Sequence, residues 1–288
     1  MAKNCFVSID VEPDFALPAD LSAIASATAG ARSAKAGQGF SGVENLEKIL
    51  QIFQRVFVKA TLFTTGEVLQ KYPEKFKELS KHYEIACHSF SHRFWNQLSQ
   101  EERQKELRSF LVLYEQVFGI GAKPAGFRAP SHLIDKEAMI LLEQSGFLYD
   151  SSIVPHYPFF KKYRGFQGKA PKIPYYPDSA DPRAPRKSTE PRALEILEIP
   201  VAGQIFGLPL AGAWISRLPF LFWKLLFVFS KPKFITVSMH PWDILDFAGR
   251  TTSPQDFLNN LEKILLLLKK KNYQFLFGKE IREKYGNL

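Results

Sequence analysis

Cysteine is scarce: only Cys5 and Cys87 occur in 288 residues. Each sits in an apolar, strand-like run, so no disulfide framework organises the chain, and both read as buried reduced thiols of a cytosolic protein. No helix-turn-helix signature, zinc-finger spacing or aromatic RNA-binding motif is present, so the excess of positive charge has no nucleic-acid reader attached to it. The apolar stretch Trp214–Phe229 is interrupted by Arg217, Pro219 and Lys224, and it falls short of the roughly 20 residues that a membrane span needs. The chain opens on MAKNCFVSID, strand-like by its fifth residue, so no signal peptide is expected. Large side chains are nearly missing from Ala16–Gly39, which predicts a loop or weak helix over strand ends. No internal repeat is found.

What is abundant is core-forming material. A hydrophobic fraction of 45% with 14% aromatics can bury a sizeable core and excludes disorder. At 288 residues the length suits one large domain or two small ones, and residues 1–288 are taken as one domain. The net charge of +9 suits an anionic partner. Short apolar runs at Cys5–Val11, Lys59–Thr64, Tyr83–Cys87, Ala125–Phe127, Phe147–Tyr149, Ala193–Pro200, Lys233–Met239 and Tyr273–Phe277 read as strands. Amphipathic helices are predicted at Gly42–Val56, Glu67–Ser80, Ser99–Phe118, Asp135–Ser145 and Ser253–Lys271. Ser41 with Glu44, and Ser99 with Glu102, have the spacing of capping boxes. This α/β alternation predicts parallel strands joined by helices, as an open sheet or a barrel, with chemistry at the strands' carboxyl ends. Residues 155–192, basic and rich in proline, break the pattern as a long irregular loop.

Chemistry-bearing residues fall where these strands end. His88 and His92, in ACHSFSHRFW, are four apart, and on a helical turn both imidazoles would face one side and share a metal ion. Asp10 and Glu12 are two apart, so on a strand both point the same way. Two adjacent carboxylates repel unless a cation or proton intervenes. A divalent ion held by His88, His92 and one carboxylate resolves that repulsion and leaves an open coordination position. The second carboxylate is then a general base. Arg128 could clamp Asp10, while Pro130 rigidifies the turn that follows. His240 is a candidate general acid for a leaving amine. Pro130 and Trp242 are candidate substrate-binding residues. The donor set suits zinc, but also cobalt, nickel or iron.

Ser8–Glu12 (SIDVE), His88–His92 (HSFSH), Gly126–Pro130 (GFRAP), Tyr149–Ile153 (YDSSI) and Met239–Trp242 (MHPW) together resemble the ordered motifs of the polysaccharide deacetylase (NodB-homology) family. The similarity is greatest to the branch with a D-V-E first motif and an H-P-W last motif, and it runs from about Cys5 to Phe277. The resemblance implies a distorted (β/α) barrel and metal-dependent removal of N-acyl groups from amino sugars. By family roles, Asp10 resembles the base, His88 and His92 the metal ligands, Arg128 the residue that positions the base, and His240 the acid. The common motif has two adjacent aspartates, and here the second place is Val11. Glu12 is the natural substitute ligand and Asp14 the fallback. Glu198 is the candidate partner of His240.

The implied partner is an N-acylated carbohydrate, in a polysaccharide or lipid-linked glycan of the cell envelope. Rival readings are an amide hydrolase of the same fold acting on a formamide or cyclic ureide, and a non-catalytic carbohydrate-binding relative. Trp214–Phe229 is either a core helix or an interfacial helix resting on anionic lipid. The expected location is cytoplasmic, with peripheral contact on the inner face of the cell membrane.

Overall fold

A computed structural model describes residues 3–14, 39–155, 169–186, 194–201, 208–246 and 252–286. Among the described residues nine parallel strands make one sheet: β1 (Lys3–Val11), β2 (Ala60–Thr64), β3 (Glu84–Cys87), β4 (Gly126–Phe127), β5 (Tyr149–Asp150), β6 (Leu197–Glu198), β7 (Leu210–Ala211), β8 (Phe234–Met239) and β9 (Tyr273–Phe275). Their order is β6-β5-β4-β3-β2-β1-β8-β7, and β9 pairs with the first residues of β1. The sheet curls into a distorted (β/α) barrel, and among the described residues no pairing joins β6 to β7.

Ten helices accompany the strands among the described residues. They are α1 (Ser41–Glu44), α2 (Glu47–Val56), α3 (Gly66–Lys71), α4 (Pro73–Leu79), α5 (Gln100–Phe118), α6 (Lys136–Gln144), α7 (Gly212–Ile215), α8 (Phe220–Phe229), α9 (Pro254–Lys270) and α10 (Gly278–Tyr285).

The period-two geometry of β1 sorts its side chains. Cys5, Val7, Ile9 and Val11 point outward into the layer between sheet and helices. Phe6 points into a smaller inner cluster with Phe63, Tyr149, Leu197, Phe234 and Ile281, which forms the barrel floor. Ser8 and Asp10 stand above that floor on the same inward face. Val11 is therefore core, and Glu12 is the next side chain that can turn inward. Both cysteines are buried free thiols, and burial raises the pKa of each.

Several expectations are corrected. The helix read as Gly42–Val56 is two helices, and Ser41 is not its cap. Asp14 does that work: its Oδ1 accepts from Gly42 N–H at 2.9 Å. The helix read as Glu67–Ser80 breaks at Tyr72 because Pro73 cannot continue a helical ladder. Pro219 likewise separates α7 from α8. The Ser99 capping box is present as expected. Strand β7 and helix α10 were not anticipated: two residues carry no periodicity, and Gly278–Tyr285 is mostly charged. In the loop at 155–192, residues 156–168 and 187–193 lie outside the described residues, while Tyr175 and Tyr176 are buried and the backbone of Tyr175 pairs with Glu198. Residues 16–38, most of the Ala-, Ser- and Gly-rich stretch, also lie outside them.

Candidate metal centre at the carboxyl ends of the strands

Glu12, His88 and His92 each bring a ligand atom within 4.8 Å of the other two. His88 and His92 follow β3, but not on a helical turn. Ser89 and His92 adopt left-handed φ values of 63° and 55°, and this irregular loop, rather than a helix, brings the two rings to 5.0 Å between centroids. Such backbone is costly for residues with a Cβ and needs support.

Glu106 on α5 supplies that support. Its Oε2 accepts from Ser89 Oγ at 2.8 Å, Phe90 N–H at 3.0 Å and Ser91 N–H at 2.9 Å, and its Oε1 accepts from Ser91 Oγ at 2.7 Å. From the other side, Gly66 and Glu67 N–H donate to Ser89 and Phe90 carbonyls. A Cβ on Gly66 would lie 2.2 Å from the Phe90 ring, so only glycine allows that approach. Glu106→Ala should weaken divalent-metal binding about 10- to 100-fold, the usual effect of losing a group that orients metal ligands. Competition with a chromophoric chelator measures this, and an unchanged affinity would remove Glu106 from that role.

Whether these residues fit a cation follows from one tautomer. His88 Nδ1 lies 2.8 Å from the backbone oxygen of Arg128. A carbonyl only accepts, so Nδ1 carries the hydrogen, and Nε2 of the neutral ring presents a lone pair. That lone pair faces Glu12 Oε2 at 3.3 Å, and His92 Nε2 contacts the same oxygen. Glu12 Oε2 is buried and has no hydrogen-bond donor of acceptable geometry among the described residues. Three electron-rich atoms, from buried Glu12 and His88 and partly buried His92, converge with nothing positive between them, which is the donor set and orientation of a divalent-ion site. Burial opposes charge on Glu12, but His92 and His88 outweigh it and hold the carboxyl down to about 2. Burial likewise opposes charge on His88, but contact with Glu12 and the charges of Asp10 and Glu12 raise its pKa above the ordinary imidazole value. Asp14, committed to Gly42, does not reach the cluster, so the structure brings Glu12 to the imidazoles.

Asp10 lies beside this centre on the inward face of β1. Arg128 Nη1 donates to Asp10 Oδ1 at 2.5 Å and to Ser8 Oγ at 2.9 Å. The guanidinium is buried, stacked 4.1 Å from the Phe63 ring centroid. Its Nε donates to Ser151 O and its Nη2 to Ser151 Oγ, both at 2.8 Å. The contact with Asp10 is thus single rather than bidentate, because the other arm is used by Ser151. Burial pushes the Asp10 carboxyl up, but the charges of Arg128, His88 and His240 hold it well below the usual carboxylate range.

His240, half-exposed, closes the group with Nε2 at 4.0 Å from Asp10 Oδ2 and 3.7 Å from Glu12 Oε1. Trp242, largely buried, stacks on the His240 ring at 4.3 Å and 13°. Pro130 is buried at the start of a 3-10 turn that carries the chain away from Arg128. Asp243 accepts from His240 N–H at 2.8 Å and lies 4.0 Å from its Nδ1. Asp243 is therefore the carboxylate beside His240, in place of Glu198. Glu198 instead stands opposite Asp150 in the sheet register. Burial raises the pKa of both of those carboxyls.

Sequence reasoning missed Glu106, Asp243 and His132. Asp243 has a readable signal, the i+3 acid after His240. His132, at φ 58°, has its pKa pushed down to about 3 by burial and by Arg128, with Asp10 opposing, so it is neutral where it faces the site.

Fold and site together define a (β/α)-barrel protein with a candidate metal centre flanked by an arginine-held carboxylate and a histidine. Residues 37–149 match the family described as Polysaccharide deacetylase. A peptidoglycan deacetylase-like protein of Gibberella zeae is 33% identical over 164 residues, which is 56% of this chain and 47% of that protein. These matches support the polysaccharide deacetylase (NodB-homology) family for this chain. The chain spans about half the length of the curated relatives it matches.

Two solved structures show the same fold at low identity. One is Puue allantoinase, with TM-score 0.62 and 14% identity, covering 99% of this chain and 89% of that one. The other is the peptidoglycan deacetylase PdaC of Bacillus subtilis, with TM-score 0.50 and 14% identity, covering 98% and 91%.

Proposed function

We propose that this protein hydrolyses N-acyl groups, chiefly N-acetyl, from an amino sugar of a polysaccharide or lipid-linked glycan. The observation that carries this reading is the convergence of Glu12, His88 and His92 beside Asp10 and His240. A carbohydrate-binding module has no use for a buried, charge-held carboxylate facing an imidazole. The match of residues 37–149 to the polysaccharide deacetylase family supports the amide-cleaving chemistry, and a Helicobacter pylori relative is named peptidoglycan deacetylase.

Glu12, His88 and His92 would hold a divalent ion, with zinc the best fit to two imidazoles and a carboxylate. Such an ion would supply a Lewis acid for the amide oxygen and lower the pKa of a water. The protein's own residues divide the remaining work. Asp10, ionised throughout the neutral range, accepts a proton from the attacking water. Arg128 fixes its orientation from below. His240, partly exposed at the rim, delivers a proton to the departing amine, and Trp242 and Asp243 hold its ring in place. Trp242, stacked on His240, flanks the approach for the sugar, while Pro130, expected to bind substrate, is buried in the turn after Arg128.

The purified protein should contain about one equivalent of divalent metal. It should release acetate from N-acetylglucosamine oligomers or from a lipid-linked N-acetyl sugar. Chelation should abolish release and zinc restore it. Metal without release from any N-acylated sugar, but with turnover of a formamide or a cyclic ureide, would transfer the site to the rival amide-hydrolase reading. Full turnover after complete metal removal would discard the metal-dependent mechanism.

A further inference from the structure

Helix α8 is apolar on its buried face and on its exposed face alike. Trp223 and Phe227 are fully buried against the outer core. On the other side, Leu221, Leu225, Val228 and Phe229 are 61%, 51%, 55% and 75% exposed. Their spacing of i, i+4, i+7 and i+8 makes one continuous stripe, where a solvated helix carries polar residues. Lys224 is exposed on the same side, three residues from Leu221 and four from Val228.

Charge in this part of the chain has one sign. Between Glu198 and Asp243 there is no acidic residue, while Arg217, Lys224, Lys231 and Lys233 are basic. Lys224, Lys231 and Lys233 are exposed. The neighbouring helix α9, which packs on α8, adds exposed Lys269 and Lys270 in its last turn.

We propose that α8 is a docking surface for an anionic lipid bilayer, lying in the plane of the interface. Its four exposed apolar side chains would enter the acyl boundary. Lys224 would extend its stem along them and place its ammonium among lipid phosphates, joined there by Lys231 and Lys233. The helix cannot cross: among the described residues no helix is long and apolar enough to span a membrane. A second copy of the chain fits this surface poorly. A two-fold contact would be self-complementary and would bury Lys224 against its own symmetry mate, with no acid in the segment to pair either one.

Topology relates this surface to the site. A Cβ on Gly212 would lie 1.7 Å from Asp243 Oδ2, so the chain leaves β7 at the end of the sheet that carries His240. The chain then runs back along α8 to begin β8 at the opposite end. A helix resting on lipid in this way keeps the site's end of the barrel beside the membrane rather than under it. The inference rests on the helix and its charge alone and stands whether or not the proposed reaction is correct.

Flotation of the full chain with phosphatidylcholine vesicles, with and without about a third phosphatidylglycerol, tests it. Association is expected with the anionic vesicles and should fall as salt rises. The pair Leu225→Glu and Phe229→Glu should reduce partitioning at least tenfold, and Lys224→Glu with Lys231→Glu severalfold, with thermal unfolding unchanged because all four side chains are exposed. Equal partitioning into both vesicle types, or none, would overturn the proposal, as would wild-type binding by both variants. A concentration-dependent dimer that Leu225→Glu and Phe229→Glu dissolve, with no lipid binding by the wild type, would assign the stripe to self-association instead.

Discussion

Asp10→Asn should leave the metal bound and reduce hydrolysis by about 10²- to 10⁴-fold, the contribution of a positioned general base. The substitution isolates one property. Asparagine has nearly the same shape, and its carbonyl oxygen can still accept from Arg128 Nη1, which lies 2.5 Å from Asp10 Oδ1. What disappears is the negative charge and the ability to take up a proton. Glu12, His88 and His92 do not include Asp10 among their ligand atoms, so metal content should stay at the wild-type level. Metal analysis with acetate-release kinetics on one preparation reads both. A variant that keeps metal and full turnover would remove Asp10 as base. A variant that loses metal would make Asp10 part of the coordination sphere.

Arg128→Met should be the most destabilising single change in the site, at about 3–5 kcal/mol, as when one partner of a buried ion pair is removed. Arg128 is fully buried, and its guanidinium donates to Ser8, Asp10 and Ser151. Methionine fills much of the volume and satisfies none of these acceptors, so Asp10 is left buried without its strongest counter-charge. The pH dependence gives a second readout. Asp10's folded pKa is depressed, so its stabilising contribution is present above the unfolded carboxylate value, near 4, and is lost as pH falls through the folded value. Without Arg128 the depression shrinks. Metal-free Arg128→Met should therefore lose less stability than metal-free wild type when acidified below about pH 4. Urea unfolding at several pH values measures both effects. A loss under about 1 kcal/mol with an unaltered acid limb would show that Ser8 and Ser151, rather than the ion pair, hold this corner together.

Much of the site was legible because chemistry sits at strand ends and strand ends can be read. The alternation in β1 placed Asp10 and Glu12 on one face, and the structure keeps both inward while Val11 joins the outer core. Arg128 and His240 arrive where their strands stop. The HxxxH spacing pointed to two residues that do converge, but by a different route from the one expected. A helical turn was expected, whereas left-handed backbone at Ser89 and His92, held from α5 by Glu106, does the converging. Nothing local announces Glu106, because an acid on a charged amphipathic helix looks like any solvated one until the loop packs beneath it. The assignment of His240's partner failed for a related reason. Glu198 and Asp243 both follow apolar runs, and only the sheet register, which sets Glu198 against Asp150, separates them.

The sequence alone determined which side chains face inward and at which end of the barrel they gather, because strand alternation and parallel connections are local rules repeated along the chain. Tertiary structure alone decided which of those inward groups meet. The distances between β1, β3, β4 and β8, the capture of Asp14 by a helix end, and the lone pair that His88 turns toward Glu12 all depend on register and long-range hydrogen bonds. Those are set by how the whole sheet curls, and no window of neighbouring residues contains that information.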